Sequence, residues 1–225
     1  WLGQLDSLPP LLELPTDRAW PEKQTFRGST QSFKLTKELS DKLYAFCKSQ
    51  AVTPYVFFLS AFAVLLGRYS AQDDIAIGSP VSNREKEETR NLIGFFVNTL
   101  VMRCRLHGDP SFVELLQRIK TVNAGAQAHQ EIPFELLVEK LNPERNLRHS
   151  PIFQVMLILQ NIAMVEQTKL PNLEIDYYVH NHVQNEGVAR FDLTLSLQET
   201  VDGLIGAMEY NTDLFDRSTI AQMLA

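Results

Sequence analysis

An α/β fold, built as a layered sandwich of packed helices on a mixed β-sheet, is predicted by three observations on these 225 residues. Apolar side chains recur at helical spacing over residues 36–48, 53–69 and 111–122. Two-residue alternation runs through Phe95–Leu106 and Phe191–Gln198. The two kinds of pattern interleave along the chain without internal repeat or low-complexity run, and interleaved elements imply layers around one sheet.

Residues 1–28 carry Pro9, Pro10, Pro15 and Pro21 with few periodic apolar positions, which predicts an extended arm or linker instead of a helix. Gln31–Leu35 reads as a short strand. Thr36 can then cap a helix whose Leu39, Leu43, Phe46 and Cys47 share one face. Thr53 followed by Pro54 is a strong helix start, and the helix running to about Tyr69 is apolar all round, so it belongs between layers. Asp74–Pro80 reads as a strand buried on both faces and Asn83–Arg90 as a charged surface loop.

In Phe95–Leu106 the alternation puts Phe96, Asn98, Leu100, Met102, Cys104 and Leu106 on one side, with Val97, Thr99, Val101, Arg103 and Arg105 on the other. Asn98 thus shares a face with apolar neighbours. Ser111 caps an amphipathic helix, and Pro133 starts a further one. Phe153–Leu159, Leu173–Val179 and Phe191–Gln198 are strand candidates, and Leu204–Tyr210 pairs with the last of these through a turn at Asp202 and Gly203. The chain opens at Trp1 without an initiator Met and stops a few residues into a new helix, as expected of a piece of something larger.

Lys and Arg total 21 against 27 Asp and Glu, a formal charge of −6 without any basic run, which argues against a nucleic-acid partner. The longest apolar stretch, Tyr55–Gly67, is about 13 residues and too short to span a bilayer, so no membrane association is expected. Cys47 and Cys104 form neither a CxxC pair nor a disulfide framework, and a reducing, cytoplasmic setting fits them best. The five histidines lie at no metal-ligand spacing; His180 and His182 are two apart without a further ligand, so no metal is expected. GxSxG, Walker A and GxGxxG are all absent, and serine hydrolase, P-loop and dinucleotide chemistry have no support.

Three segments carry more than generic pattern: Ile93–Arg103 (IGFFVNTLVMR), His129–Glu135 (HQEIPFE) and Pro143–Phe153 (PERNLRHSPIF). In order and spacing they resemble late core motifs of condensation domains from nonribosomal peptide synthetases. Leu14–Arg18 (LPTDR), Arg68–Asp73 (RYSAQD), Gly78–Arg84 (GSPVSNR) and Glu209–Phe215 (EYNTDLF) are similar to family segments in family order. The resemblance implies a half-domain of the chloramphenicol acetyltransferase type. The family's HHxxxDG motif, which belongs to the N-terminal half, does not occur here, so residues 1–225 look like a C-terminal subdomain with no catalytic residue of its own.

By that resemblance the complete domain joins an acyl or peptidyl thioester to the amine of an aminoacyl thioester, each on the phosphopantetheine arm of a donor or acceptor carrier protein. No cofactor is expected to bind this chain directly. The implied partners are the N-terminal subdomain and the two carrier proteins. LPTDR and QNEGVARFDLTLSLQET look more like a peptide-bond-forming member than an epimerising or cyclising one. Two alternatives stand beside this reading: a non-catalytic carrier-docking module, and half of a related coenzyme A-dependent acyltransferase.

Asn98 is the best candidate for lining the substrate tunnel, since an amide on an apolar face can orient a carbonyl; the alternative is a core Asn bonded to neighbouring backbone. Ser82 is a second candidate, with a turn-forming Ser the alternative. Arg145 and Arg148 could touch a carrier protein or the opposite half, against a default of solvated surface charge. His129 reads as a helix-end cap, and Pro133, Phe134 and Glu135 as helix start and anchor. Asp192, Thr194, Ser196 and Gln198 form a polar strand face that meets either water or a solvated tunnel mouth. An isolated half would expose the apolar face that meets its partner, so self-association is expected.

Overall fold

A computed structural model describes residues 1–84, 87–143, 146–160 and 187–225, with only the backbone at Arg90. The elements follow in the order α1 (Leu2–Leu5), β1 (Arg27–Thr36), α2 (Lys37–Ser49), α3 (Pro54–Ser70), β2 (Asp74–Val81), α4 (Glu87–Arg90) and β3 (Asn98–Arg105). Then come α5 (Phe112–Gln127), α6 (Phe134–Leu141), β4 (Val155–Gln160), β5 (Gly187–Val188), β6 (Leu193–Thr200), β7 (Gly203–Asn211) and α7 (Arg217–Leu224). The strands form one sheet in the order β3-β2-β4-β6-β7-β1-β5. Strand β4 runs parallel to both its neighbours, β2 and β6, while the other pairs are antiparallel, giving the mixed sheet the patterns predict.

Local chemistry accounts for most boundaries. Thr36 and Thr53 accept hydrogen bonds from the backbone N–H of Leu39 and Val56, and Pro54 supplies the fixed φ of the first turn of α3. Ser111 and Glu114 form a reciprocal capping box on α5, and these bonds hold the Glu114 carboxyl below its usual range. Helix α3 packs against α2, α5 and β2, and Phe57 on it meets Phe46, Phe58 and Phe112 edge-on at centroid distances of 5.5–6.0 Å. Gly78 on β2 passes so close to Phe153 that an added Cβ would overlap the ring. Gly203, at φ 120°, closes the β6–β7 hairpin at the expected turn.

Several expectations are corrected. The arm is not wholly extended: Leu2–Leu5 forms a turn of helix because Leu5 is drawn into a second apolar cluster with Val101 and Phe153. Leu12 and Leu14 also enter the core, so the arm is part of the fold. Leu39 is 50% exposed; Ser40 takes the buried place on α2, its hydroxyl donating to the Thr36 carbonyl. The predicted loop at residues 83–90 contains the short helix α4. Strand β3 starts at Asn98 instead of Phe95, and Phe95 is 91% exposed. The candidate strand Leu173–Val179 and the histidines at 180 and 182 lie outside the described residues. Among the described residues no single helix is long and apolar enough to cross a membrane.

Candidate functional site

The register of β2 against β3 places Val81 opposite Asn98, so Ser82, just past the end of β2, sits beside the start of β3. Ser82 is exposed there. Asn98 is 9% exposed and its amide is fully engaged. Its Nδ2 donates to the carbonyls of Gln130 and Ile132, both at 2.7 Å, while Oδ1 accepts from the N–H groups of Thr99 at 2.8 Å and Phe134 at 3.1 Å. Of the two readings of Asn98, the structure matches the core Asn bonded to nearby backbone. Its amide holds the turn at residues 129–134 that joins α5 to α6.

The turn is held from a second side, where the Trp1 indole N–H donates to the His129 carbonyl at 3.0 Å. His129 follows α5 with an exposed side chain, and Pro133 is the N-cap of α6, one residue before its first turn. The GSPVSNR, IGFFVNT and HQEIPFE segments, separate in sequence, thus converge on one corner of the sheet. Beside it the loop at residues 91–97 projects Ile93 and Phe95 into solvent. The Arg84 guanidinium braces this loop, donating to the carbonyls of Thr89 and Leu92 at 2.5 and 2.7 Å and lying 4.3 Å from the centroid of the Phe96 ring.

Arg148 is exposed on the loop before β4, and Arg145 lies outside the described residues. Next to Arg148, the His149 ring meets Trp20 edge-on at 5.8 Å. This segment and the arm enclose a groove of about 700 Å³ lined by Leu5, Leu8, Pro10, Leu141, His149 and Ile152.

The polar face of β6 does not simply meet water. Asp192 is 3% exposed and Thr194 7%. Asp192 Oδ1 has no hydrogen-bond partner, and burial pushes the carboxyl up to about 8. Glu209, in register with Thr194 on β7, is also raised by burial, with Arg190 opposing the shift.

Sequence reasoning missed Arg103 and Gln154. Arg103, 3% exposed, forms an ion pair with Asp74, Nε to Oδ1 at 2.9 Å and Nη2 to Oδ2 at 2.6 Å. Gln154, 2% exposed, accepts from the Leu12 N–H at 2.8 Å and donates to the Ser150 carbonyl at 3.0 Å. A signal for Arg103 existed in a charged residue amid buried strand positions with an Asp on the neighbouring strand; Gln154 gave none. Among the described residues no group of three or more His, Cys, Asp or Glu is placed to hold a metal.

The mixed sheet with helices packed against it, strand β4 parallel to both its neighbours, has the chloramphenicol acetyltransferase-like class of fold, which rests on its likeness to solved structures. A four-domain nonribosomal peptide synthetase, holo-AB3403 bound to AMP and glycine, superposes with a TM-score of 0.88 at 26% identity, covering 100% of this chain and 18% of that one. The X-domain from teicoplanin biosynthesis gives 0.87 at 28% identity, covering 99% of this chain and 50% of that one. One of the linear gramicidin synthase proteins of Brevibacillus parabrevis is 46% identical over 224 residues, 100% of this chain and 4% of that protein. A dimodular nonribosomal peptide synthase of Bacillus subtilis (strain 168) is 41% identical over 231 residues, 100% of this chain and 10% of that protein. The condensation domain family model matches residues 1–225, and the chain belongs to that family. It spans only a small fraction of these synthetases.

Proposed function

We propose that this chain is the C-terminal half of a peptide-bond-forming condensation domain. In the complete domain the acceptor amine nitrogen attacks the carbonyl carbon of the donor thioester. The C–N bond forms, the C–S bond breaks, and the amine proton leaves with the released thiol. Both substrates ride on the phosphopantetheine arms of carrier proteins, and the histidine of HHxxxDG comes from the N-terminal half. The chain itself contributes one wall of the substrate tunnel and carrier-facing surface. Positioning of two bound substrates can supply several kcal/mol of the barrier, up to about 7–11 kcal/mol for ideal alignment.

The observation that carries this reading is the convergence of three family motif segments on the corner around Asn98. In this reading Asn98 shapes the tunnel through the turn it holds, with its own amide occupied by backbone. Ser82, exposed beside it, offers a hydroxyl, and the exposed Arg148 meets a carrier protein or the other half, the role the sequence also assigns to Arg145.

The test mixes this chain with a separately expressed N-terminal half carrying HHxxxDG, adds loaded donor and acceptor carrier proteins, and reads condensed product by intact mass. Product only with both halves present supports the reading. Demonstrated reassembly with competent carriers and no product would replace it with a carrier-docking module.

A further inference from the structure

Beyond its ion pair with Asp74, the Arg103 guanidinium donates from Nη1 to the carbonyls of Gln4 at 3.0 Å and Asp6 at 2.6 Å. Nη2 also reaches the Ser7 carbonyl at 3.4 Å. These are the carbonyls at the end of α1, where the chain turns through Ser7 at φ 55°. Asp74 fixes two nitrogens of the planar fork and thereby aims the remaining donors at the arm, a geometry that a lysine ammonium cannot copy.

The same manner of attachment continues downstream. The Gln154 amide accepts from the Leu12 N–H, and Gln72 accepts from the Glu13 N–H at 2.8 Å and donates to the Leu11 carbonyl at 3.1 Å. Residues 4–13 are thus gripped by their main chain, by side chains of the body, so the body sets the arm's path. At the start of the arm, the Trp1 indole reaches the turn that Asn98 holds.

We infer that Arg103 is a positioning residue: with Asp74 it seats residues 1–8 against the β2–β3 edge and so orients whatever precedes Trp1 relative to the turn at residues 129–134. In a complete condensation domain this would set the angle between the two halves, a consequence that rests on the function proposed above.

The clamp is read first in this chain alone, by NMR hydrogen exchange. In the unmutated chain the Trp1 indole N–H and the Leu5 amide should exchange at least about 100-fold slower than in a free peptide of the same residues, as protected native groups do. Arg103→Lys should remove most of that protection while the amides of α3 and β7 keep theirs. Asp74→Asn, which leaves the arginine in place but no longer aimed, should act in the same direction. Free-peptide exchange at Trp1 and Leu5 in the unmutated chain, or unchanged protection in a folded Arg103→Lys variant, would overturn the assignment.

In a complete domain, Arg103→Lys should broaden the spin-label distance between the halves. It should also lower turnover about ten- to a hundredfold at unchanged carrier KM, the cost of misplaced substrates. A complete, unmutated domain that makes no product would defeat the functional reading and leave the exchange result to decide the clamp.

Discussion

Strands β3 and β6 both begin at a buried polar side chain, Asn98 on the first and Asp192 immediately before the second, and apolar residues follow on the same or the adjoining face. Asn98 has a partner for each of its bonds and fixes a turn 32 to 36 residues away. Asp192 is held by its main chain, its N–H donating to the Gln154 carbonyl and its carbonyl accepting from Asn211, while Oδ1 has no partner. Burial alone therefore does not decide rigidity, though in Asp192 it is what decides protonation. An engaged amide locks two segments together, whereas an unengaged carboxyl stays neutral into the physiological range.

Arg103 is the charged extreme of this comparison, since removing it strands a partly buried carboxylate and three carbonyls. Arg103→Met should lower unfolding free energy by about 3–5 kcal/mol in urea melts, and a loss under about 1 kcal/mol would mean the arm re-satisfies itself. Asn98→Ala removes four hydrogen bonds to backbone and should cost about 3 kcal/mol, with exchange protection lost first at Phe134.

The Asp192 carboxyl is raised in the fold above its ordinary value of 3.8, to about 8. The fold therefore holds a proton that the unfolded chain releases. That stabilisation is complete below about pH 4 and is lost as pH rises through about 8, so unfolding free energy should fall by about 2 kcal/mol between about pH 6 and 8. Asp192→Asn should remove most of that slope, leaving the smaller part from Glu209, and a slope identical to the parent would show Asp192 to be ionised and paired. At the exposed end of the comparison, Thr36→Ala and Ser111→Ala should each cost about 1 kcal/mol, seen as parallel shifts of the melt.

How far the sequence reveals such differences depends on the range of the interaction. Caps at Thr36, Thr53 and Ser111, the Gly203 turn and the alternation of β3 and β6 are written within a few neighbouring residues. Asn98 is legible as an odd residue on an apolar face, yet its partners belong to a turn whose position only the tertiary fold decides. Leu39 follows helical spacing but points away from the sheet, because α2 meets the sheet through Ser40 and Cys47. The arm departs from its expected form for the same reason: its prolines exclude a long helix, but its attachment comes from Arg103, Gln72 and Gln154, none of them local. Motif resemblance supplies the family, and no periodicity could.

The pairing of β1 with β7 carries a consequence for synthesis on the ribosome. Gly28 pairs with Asn211 and Thr36 with Gly203, so β1 waits for β7. Roughly 170 residues separate the partners, and at about 5–20 residues per second the wait is on the order of 10–30 s. During that interval α3, β2, β3 and α5 can bring together their share of the core, while β1 remains an open edge with Phe33 and Leu35 uncovered. Lys34, between Phe33 and Leu35 in sequence and exposed on the opposite face of β1, puts a charge on that edge, the type of residue that disfavours edge-to-edge pairing.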